Sequence, residues 1–338
     1  MFVIVCSLLS SETAKVSLSQ RKTSIQIHDF QLAGILMIEW KAVMSMNENK
    51  NHDETGIEIY KQVQQWRVVA QSTPAVTPQL NYALEEVIGE QVAHGKEPAT
   101  IRLWRAEQAV VVAKKDIRTE KAQQAAELLG HVGWPVYVRQ SGGTAVPHGE
   151  GTINLSLFLP RLPQMRWSID LIYRALGLPF IRLFADKWGL QTTFGAVPGS
   201  FCDGDHNLVI SQQKVAGTAQ VWKGGPAGVS TSRPGYILAH ITLLTHIERD
   251  LAMSTLNAFY EMSTGERPVK SETVARMADF ITAPKKAELD QLLWDGLVET
   301  LTNMMNVVDL SAPRQEEWER AQHFMERTEP SYYRKERA

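Results

Sequence analysis

The run RQSGGTAVPHGEGTINLSL, Arg139 to Leu157, leaves a short β-like segment, Val136 to Val138, and breaks at Gly142 and Gly143. Paired glycines of this kind stand where backbone must turn tightly or lie against a ligand. A second run, SFCDGDHNLVISQQKVAGTAQ from Ser200 to Gln220, holds Cys202 twelve positions before Lys214. Ala216, Gly217 and Ala219 follow that lysine and leave room beside it for an extended chain. A nucleophile, a cation and bare backbone are the parts that acyl transfer requires.

Working outward, the flanking segments read as an α+β protein. Thr77 and Pro78 open a helix whose apolar positions, Leu80 to Val92, keep helical spacing up to Gly95. Ile101 to Trp104 and Ala109 to Ala113 read as strands, and Thr119 to Leu129 as an amphipathic helix. Strands are expected at 136–139, 152–159, 208–210, 215–222 and 236–244, and a helix at 169–176. Beyond Ile247 the pattern turns helical, with helices expected at 248–262, 274–281, 285–304 and 315–326. Strands of mixed spacing with segregated helices predict a mixed sheet flanked by helices.

The two runs resemble the biotin/lipoate protein ligase and octanoyltransferase superfamily. The resemblance rests on Arg139, Gly142, Gly143, Val146, His148, Gly151, Asn154 and Ser156 in the first run, and on Lys214, Val215, Gly217, Ala219 and Gln220 in the second. It extends more weakly to the NYALEE stretch at Asn81, the RLWR stretch at Arg102 and the AHITLL stretch at Ala239, about the middle half of the chain. It implies a class II synthetase/biotin ligase-like catalytic domain over residues 70–265, with a helical C-terminal extension over 266–338.

The first run carries Gln140 and Thr144 where ATP-dependent lipoate ligases usually have a second arginine and a third glycine. The SFCDG loop, Ser200 to Gly204, is similar to the acyl-accepting loop of bacillus-type octanoyltransferases, particularly the amidotransferase that takes octanoyl from the glycine cleavage H protein. His148 matches the ligase pattern, so both subclasses stand. The resemblance implies Cys202 as nucleophile and Lys214 as the cation polarising the acyl carbonyl. It implies Arg139, Ser141, Gly142, Gly143, His148, Asn154, Gly217 and Ala219 as the acyl or adenylate site.

A transferase needs no cofactor; a ligase needs ATP and Mg; a third reading is a non-catalytic acyl-binding member. Implied partners are lipoyl-domain acceptors, namely the glycine cleavage H protein and 2-oxoacid dehydrogenase acyltransferase subunits, with acyl carrier protein as a possible donor. A linear apolar acyl group predicts a narrow tunnel, with Val138, Leu155, Leu157 and Ala216 as walls. Taken singly, a free cysteine is most often a small buried residue and a lysine a solvated one. Asp203, Asp205 and His206 lie close to Cys202, but their spacing matches no structural zinc pattern, so no metal is expected.

The chain has 338 residues, 44% hydrophobic and 21% charged, enough for a sizeable core. A formal charge of −2 gives no basic surface for nucleic acid. Two cysteines, one in the N-terminal tail, make a disulfide framework implausible and suit a reducing, cytoplasmic setting. The apolar Met1 to Leu9 lacks a basic leader and is too short to span a bilayer. Residues 1–60 are expected to be a disordered or misassigned extension, with Met44 or Met46 as alternative starts.

Overall fold

The computed structural model of the protein describes residues 55–70, 75–229, 232–282 and 285–328. An eight-stranded mixed sheet runs in the order β11 (Val307–Ser311), β1 (Trp66–Ala70), β2 (Ala99–Trp104), β6 (Thr152–Pro160), β10 (Tyr236–Leu244), β9 (Gln213–Trp222), β8 (Asn207–Ile210) and β7 (Thr193–Gly195). A smaller sheet pairs β3 (Ala109–Ala113) with β4 (Val136–Arg139) in parallel and β5 (Val146–His148) antiparallel.

Strict alternation divides the large sheet into two faces. Ile153, Leu155, Leu157 and Leu159 of β6, with Ile237, Ala239, Ile241 and Leu243 of β10, enter one apolar cluster with the helices α4 (Ile169–Trp188) and α6 (Lys286–Met304). Phe158 and Leu238 face the other way, against α2 (Pro78–Ala93) and Ala321 of α7 (Gln315–Thr328). A third cluster lies beneath the small sheet, between α3 (Glu120–His131) and α5 (Arg249–Thr264), and takes in Phe201 and Cys202. Thr77, Thr119 and Ser168 each accept a backbone N–H of the first turn they cap, as expected for helix N-caps.

Four expectations change. Helix α4 continues past Leu176 to Trp188, through Pro179. Proline has no N–H to give the carbonyl four residues back, and that carbonyl, of Ala175, instead accepts the Tyr60 hydroxyl at 2.8 Å. Tyr60 lies on a helix, α1 (55–62), whose Ile57, Ile59 and Tyr60 are buried. Residues 55–60, placed by expectation in the N-terminal extension, thus form a helix packed on the core. Met44, Met46 and the rest of that segment lie outside the described residues.

The helix expected over 274–281 is absent. Ser271–Thr273 and Met277–Asp279 are single 3₁₀ turns, and between them Val274 lies extended beside Lys214, with Ala275 donating its N–H to the Lys214 carbonyl at 2.9 Å. The region after 265 is not purely helical, because β11 pairs in parallel with β1 and forms the sheet's outer strand. It is also tied to the sheet. Arg67 of β1, fully buried, donates to both carboxylate oxygens of Glu317 on α7 at 2.6 and 2.9 Å. That guanidinium holds the Glu317 carboxyl below its usual range although burial opposes it. No described helix is long and apolar enough to cross a membrane.

Candidate active site

Sheet register brings the site together. Asn154 pairs with Trp104 and Thr242, and Thr242 with Gly217; one step along, Ser156 pairs with Arg102 and His240, and His240 with Ala219. Two rows of small and polar residues thus cross four strands on the face toward α2. Above them the loop after β4 meets the loop before β8, which carries Cys202. The enclosed cleft is bounded by Tyr82, Arg139, Cys202, Gly217, His240 and Thr242.

Cys202 is 8% exposed and has φ 46°, a left-handed conformation that a non-glycine residue holds only where its surroundings impose it. Thr144 supplies that constraint. Its Oγ1 accepts the Cys202 N–H at 2.7 Å, its own N–H donates to Sγ at 3.1 Å, and its carbonyl accepts from Sγ at 3.0 Å. Arg139 donates to the carbonyls of Val111 (2.9 Å), Gly142 (2.8 Å) and Thr144 (2.7 Å), and reaches Sγ at 3.5 Å. Burial pushes the thiol up; Arg139, Lys214 and the Thr144 hydrogen bonds outweigh it and hold the thiol below its ordinary value. A lowered thiol pKa at a cation is the mark of a reactive cysteine.

Lys214 is wholly buried. Its ammonium donates to the carbonyls of Phe201 and Cys202, the latter at 3.0 Å, and lies 4.0 Å from the Phe201 ring centre. Burial lowers its pKa to about 8, against the opposing pull of the Cys202 thiolate and Asp203. Gly217 lets the lysine approach the cleft: a β-carbon there would lie 3.1 Å from Nζ and 3.2 Å from the Phe201 ring. Gly143, with φ 98°, lies against Arg139 and Cys202 in the same way, whereas Gly142 meets nothing and contributes its carbonyl.

The other expected residues separate by role. Ser141 is buried and hydrogen-bonded to His240 Nε2 at 2.7 Å. Asn154 Oδ1 accepts from Thr242 at 2.7 Å, while its Nδ2 has no hydrogen-bond partner among the described residues. His148 contacts Tyr82 Oη through Nε2 at 2.9 Å; burial, with Arg139 and His240 nearby, lowers its pKa to about 3, so at neutral pH it is an uncharged imidazole with a single ring N–H. Ala219 lines the cleft. Asp203 accepts the Val197 N–H, and His206 pairs with Asp170 at 2.9 Å and stacks on Tyr173, so the residues near Cys202 turn to separate partners.

The tunnel walls are corrected. Leu155, Leu157 and Ala216 belong to the apolar cluster on the opposite sheet face, and Val138 packs beneath the small sheet. The cleft itself encloses about 20 Å³, room for about one water. A separate cavity of about 260 Å³ lies at His148, Trp134 and His246. Tyr82, Glu85, Thr144, His240 and Thr242 were missed as site residues. The alternation of His240 and Thr242 with apolar neighbours in AHITLL was the available signal, since it places two polar side chains on one sheet face.

The chain belongs to the lipoyl protein ligase A/B catalytic domain family, which residues 77–295 match. It is 41% identical over 207 residues to an octanoyl-[GcvH]:protein N-octanoyltransferase of Kyrpidia tusciae, covering 61% of this chain and 70% of that protein. A protein of the same name from Anoxybacillus flavithermus is 32% identical over 161 residues, 47% of this chain and 57% of the other. Among solved structures, lipoate-protein ligase A bound with ATP superposes with a TM-score of 0.56 at 18% identity, covering 78% of this chain and 94% of that one. An archaeal bi-partite lipoate protein ligase from Thermoplasma acidophilum, described with its E2 lipoyl domain, gives 0.52 at 19%, covering 78% and 92%.

Proposed function

We propose that the protein is an octanoyltransferase that carries the acyl group on Cys202 and delivers it to the lysine of a lipoyl domain. The observation that carries this reading is the Cys202 thiol, fixed in a left-handed turn and held below its ordinary pKa beside Arg139 and Lys214. The thiolate attacks the acyl carbonyl of the donor and forms a thioester; the acceptor amine attacks that thioester and frees the thiolate. Lys214, whose ammonium donates to the Cys202 carbonyl at 3.0 Å, is the cation assigned to polarise the acyl carbonyl and meet the charge that develops on its oxygen. Asn154, Gly217 and Ala219 shape the cleft, and the small residues leave the carbonyl a path to the lysine.

The likeness to octanoyl-[GcvH]:protein N-octanoyltransferases supports an octanoyl group held by the glycine cleavage H protein as donor. In those relatives the acceptor is a protein, and a second lipoyl-domain protein is the acceptor proposed for this chain. Gln140 takes away a cation that could have met phosphate, and the chain has no P-loop, which favours thioester chemistry over adenylation. Incubation with octanoylated H protein, without ATP or magnesium, should place an octanoyl adduct on Cys202 that hydroxylamine removes. Cys202→Ser should abolish it, since a serine hydroxyl is not ionised near neutral pH. Full activity of Cys202→Ser, with modification dependent on ATP, magnesium and free lipoate, would establish the ligase instead.

A further inference from the structure

Three linked groups at the cleft, the lining residue His240 and the buried Ser141 and Glu85 behind it, remain without a role in this scheme. Ser141 Oγ lies 2.7 Å from His240 Nε2, and on the other side of the ring His240 Nδ1 faces Glu85 Oε2 at 3.7 Å. Glu85 is 1% exposed; its second oxygen accepts the Ser156 hydroxyl, which itself accepts from Trp104 Nε1 at 2.8 Å. The carboxylate is thereby fixed, and the imidazole is held between an anion and a hydroxyl. Register places His240 beside Ala219 on the cleft wall, and the loop carrying Ser141 continues into Gly142, Gly143 and Thr144, which contact Arg139 and Cys202.

Transfer between two lysines has a proton problem. An amide nitrogen leaves as an amine only if it is protonated as its bond to carbon breaks, because the alternative leaving group, the deprotonated amine anion, is far too strong a base to depart. Resting on the thioester reading above, we infer that Glu85, His240 and Ser141 form a proton relay serving the nitrogen of donor and acceptor. In the first half-reaction the thiolate adds to the octanoyl carbonyl, the carbon–nitrogen bond breaks, and a proton passes from the His240 imidazolium through the Ser141 hydroxyl to the departing amine. Products are the Cys202 thioester, neutral His240 and a free donor lysine. In the second half-reaction the acceptor amine attacks, the carbon–sulfur bond breaks, and the nitrogen's proton returns through Ser141 to His240. Thiolate and imidazolium are restored, so one cycle consumes no proton. Glu85 stabilises the imidazolium, and His148, already neutral, takes no part.

The test separates donors by their leaving group. Acylation of Cys202 is followed by mass in single turnovers with an octanoyl-lysyl lipoyl domain, an amide, and with octanoyl-coenzyme A, whose thiolate leaves unprotonated. His240→Gln should slow the amide reaction by about 100-fold or more, the range of general acid catalysis, and the thioester reaction by less than about fivefold. Ser141→Ala, which adds no bulk, should show the same split should His240→Gln fail to fold. Equal loss with both donors, or no loss with the amide donor, overturns the relay while leaving Cys202 in place. A wild-type enzyme that takes octanoyl from neither donor overturns the thioester reading and the relay with it.

Discussion

A β-carbon at position 143 would lie 2.8 Å from an Arg139 guanidinium nitrogen and 2.9 Å from Cys202 Sγ, on backbone at φ 98°. Gly143→Ala should therefore push the guanidinium away from sulfur and release the thiol toward its ordinary pKa. The rate of iodoacetamide alkylation against pH reads this directly: its midpoint should move up relative to wild type. Lys214 sets the other limb. Its ammonium is lost as pH rises through about 8, so transfer should fall above that value. Because the unfolded chain keeps this proton up to about pH 10.4, it binds more protons than the native state in the interval. Stability should then rise with pH there, measured as wild type gaining on Lys214→Met. A flat activity profile to pH 9 would remove Lys214 from the chemistry. At this scale the sequence was informative about chemical type: cysteine, lysine and arginine converge as their motif implied. His240 and Glu85 stayed hidden because their pairing depends on a sheet register and a helix orientation that no single segment carries.

The strands that build the site were legible, because alternation over β6 and β10 is long and clean. Shorter elements were not. VVDLS of β11 offers five residues with exposed Val308 and Leu310, and its place is fixed by β1 rather than by its own pattern. Residues 274–281 carry helix-like spacing, but Val274 is drawn into a bridge with Lys214, and tertiary pairing overrides the local preference. Helix α4 shows the converse, where a proline that ought to end a helix is kept inside it by a partner from α1. Tyr60→Phe should leave the buried Ala175 carbonyl unpaired and cost about 1–3 kcal/mol, read as a lowered denaturation midpoint. A change within error would mean that solvent or backbone adjustment satisfies that carbonyl.

Over the whole molecule, the first strand and the last helix hold one another. Arg67 is also within 3.6 Å of Glu97 and 3.4 Å of Asp309, so two further carboxylates approach it. Glu317→Ala removes the bidentate partner, and breaking a buried pair of this kind typically costs about 3–5 kcal/mol. The lowered Glu317 carboxyl contributes stability above its unfolded pKa that is lost as pH falls through the folded one, so the mutant's deficit should shrink in acid. A thermal scan at two pH values checks both statements. Residues 55–60 and 307–328 carry none of the motif and were expected outside the catalytic domain; buried side chains in both pack on the same core, and burial is what sequence shows poorly for short segments.

The same pairing has a temporal side. Arg67 leaves the ribosome 250 residues before its partner, and the strand that covers β1's outer edge comes almost as late. During synthesis a nascent chain must keep a guanidinium out of its forming core and an unpaired strand edge away from its neighbours until residue 317 has been made. Long-range closure of this kind is slow and exposes sticky intermediates. Chains released before residue 317 should therefore be recognised as unfinished and degraded.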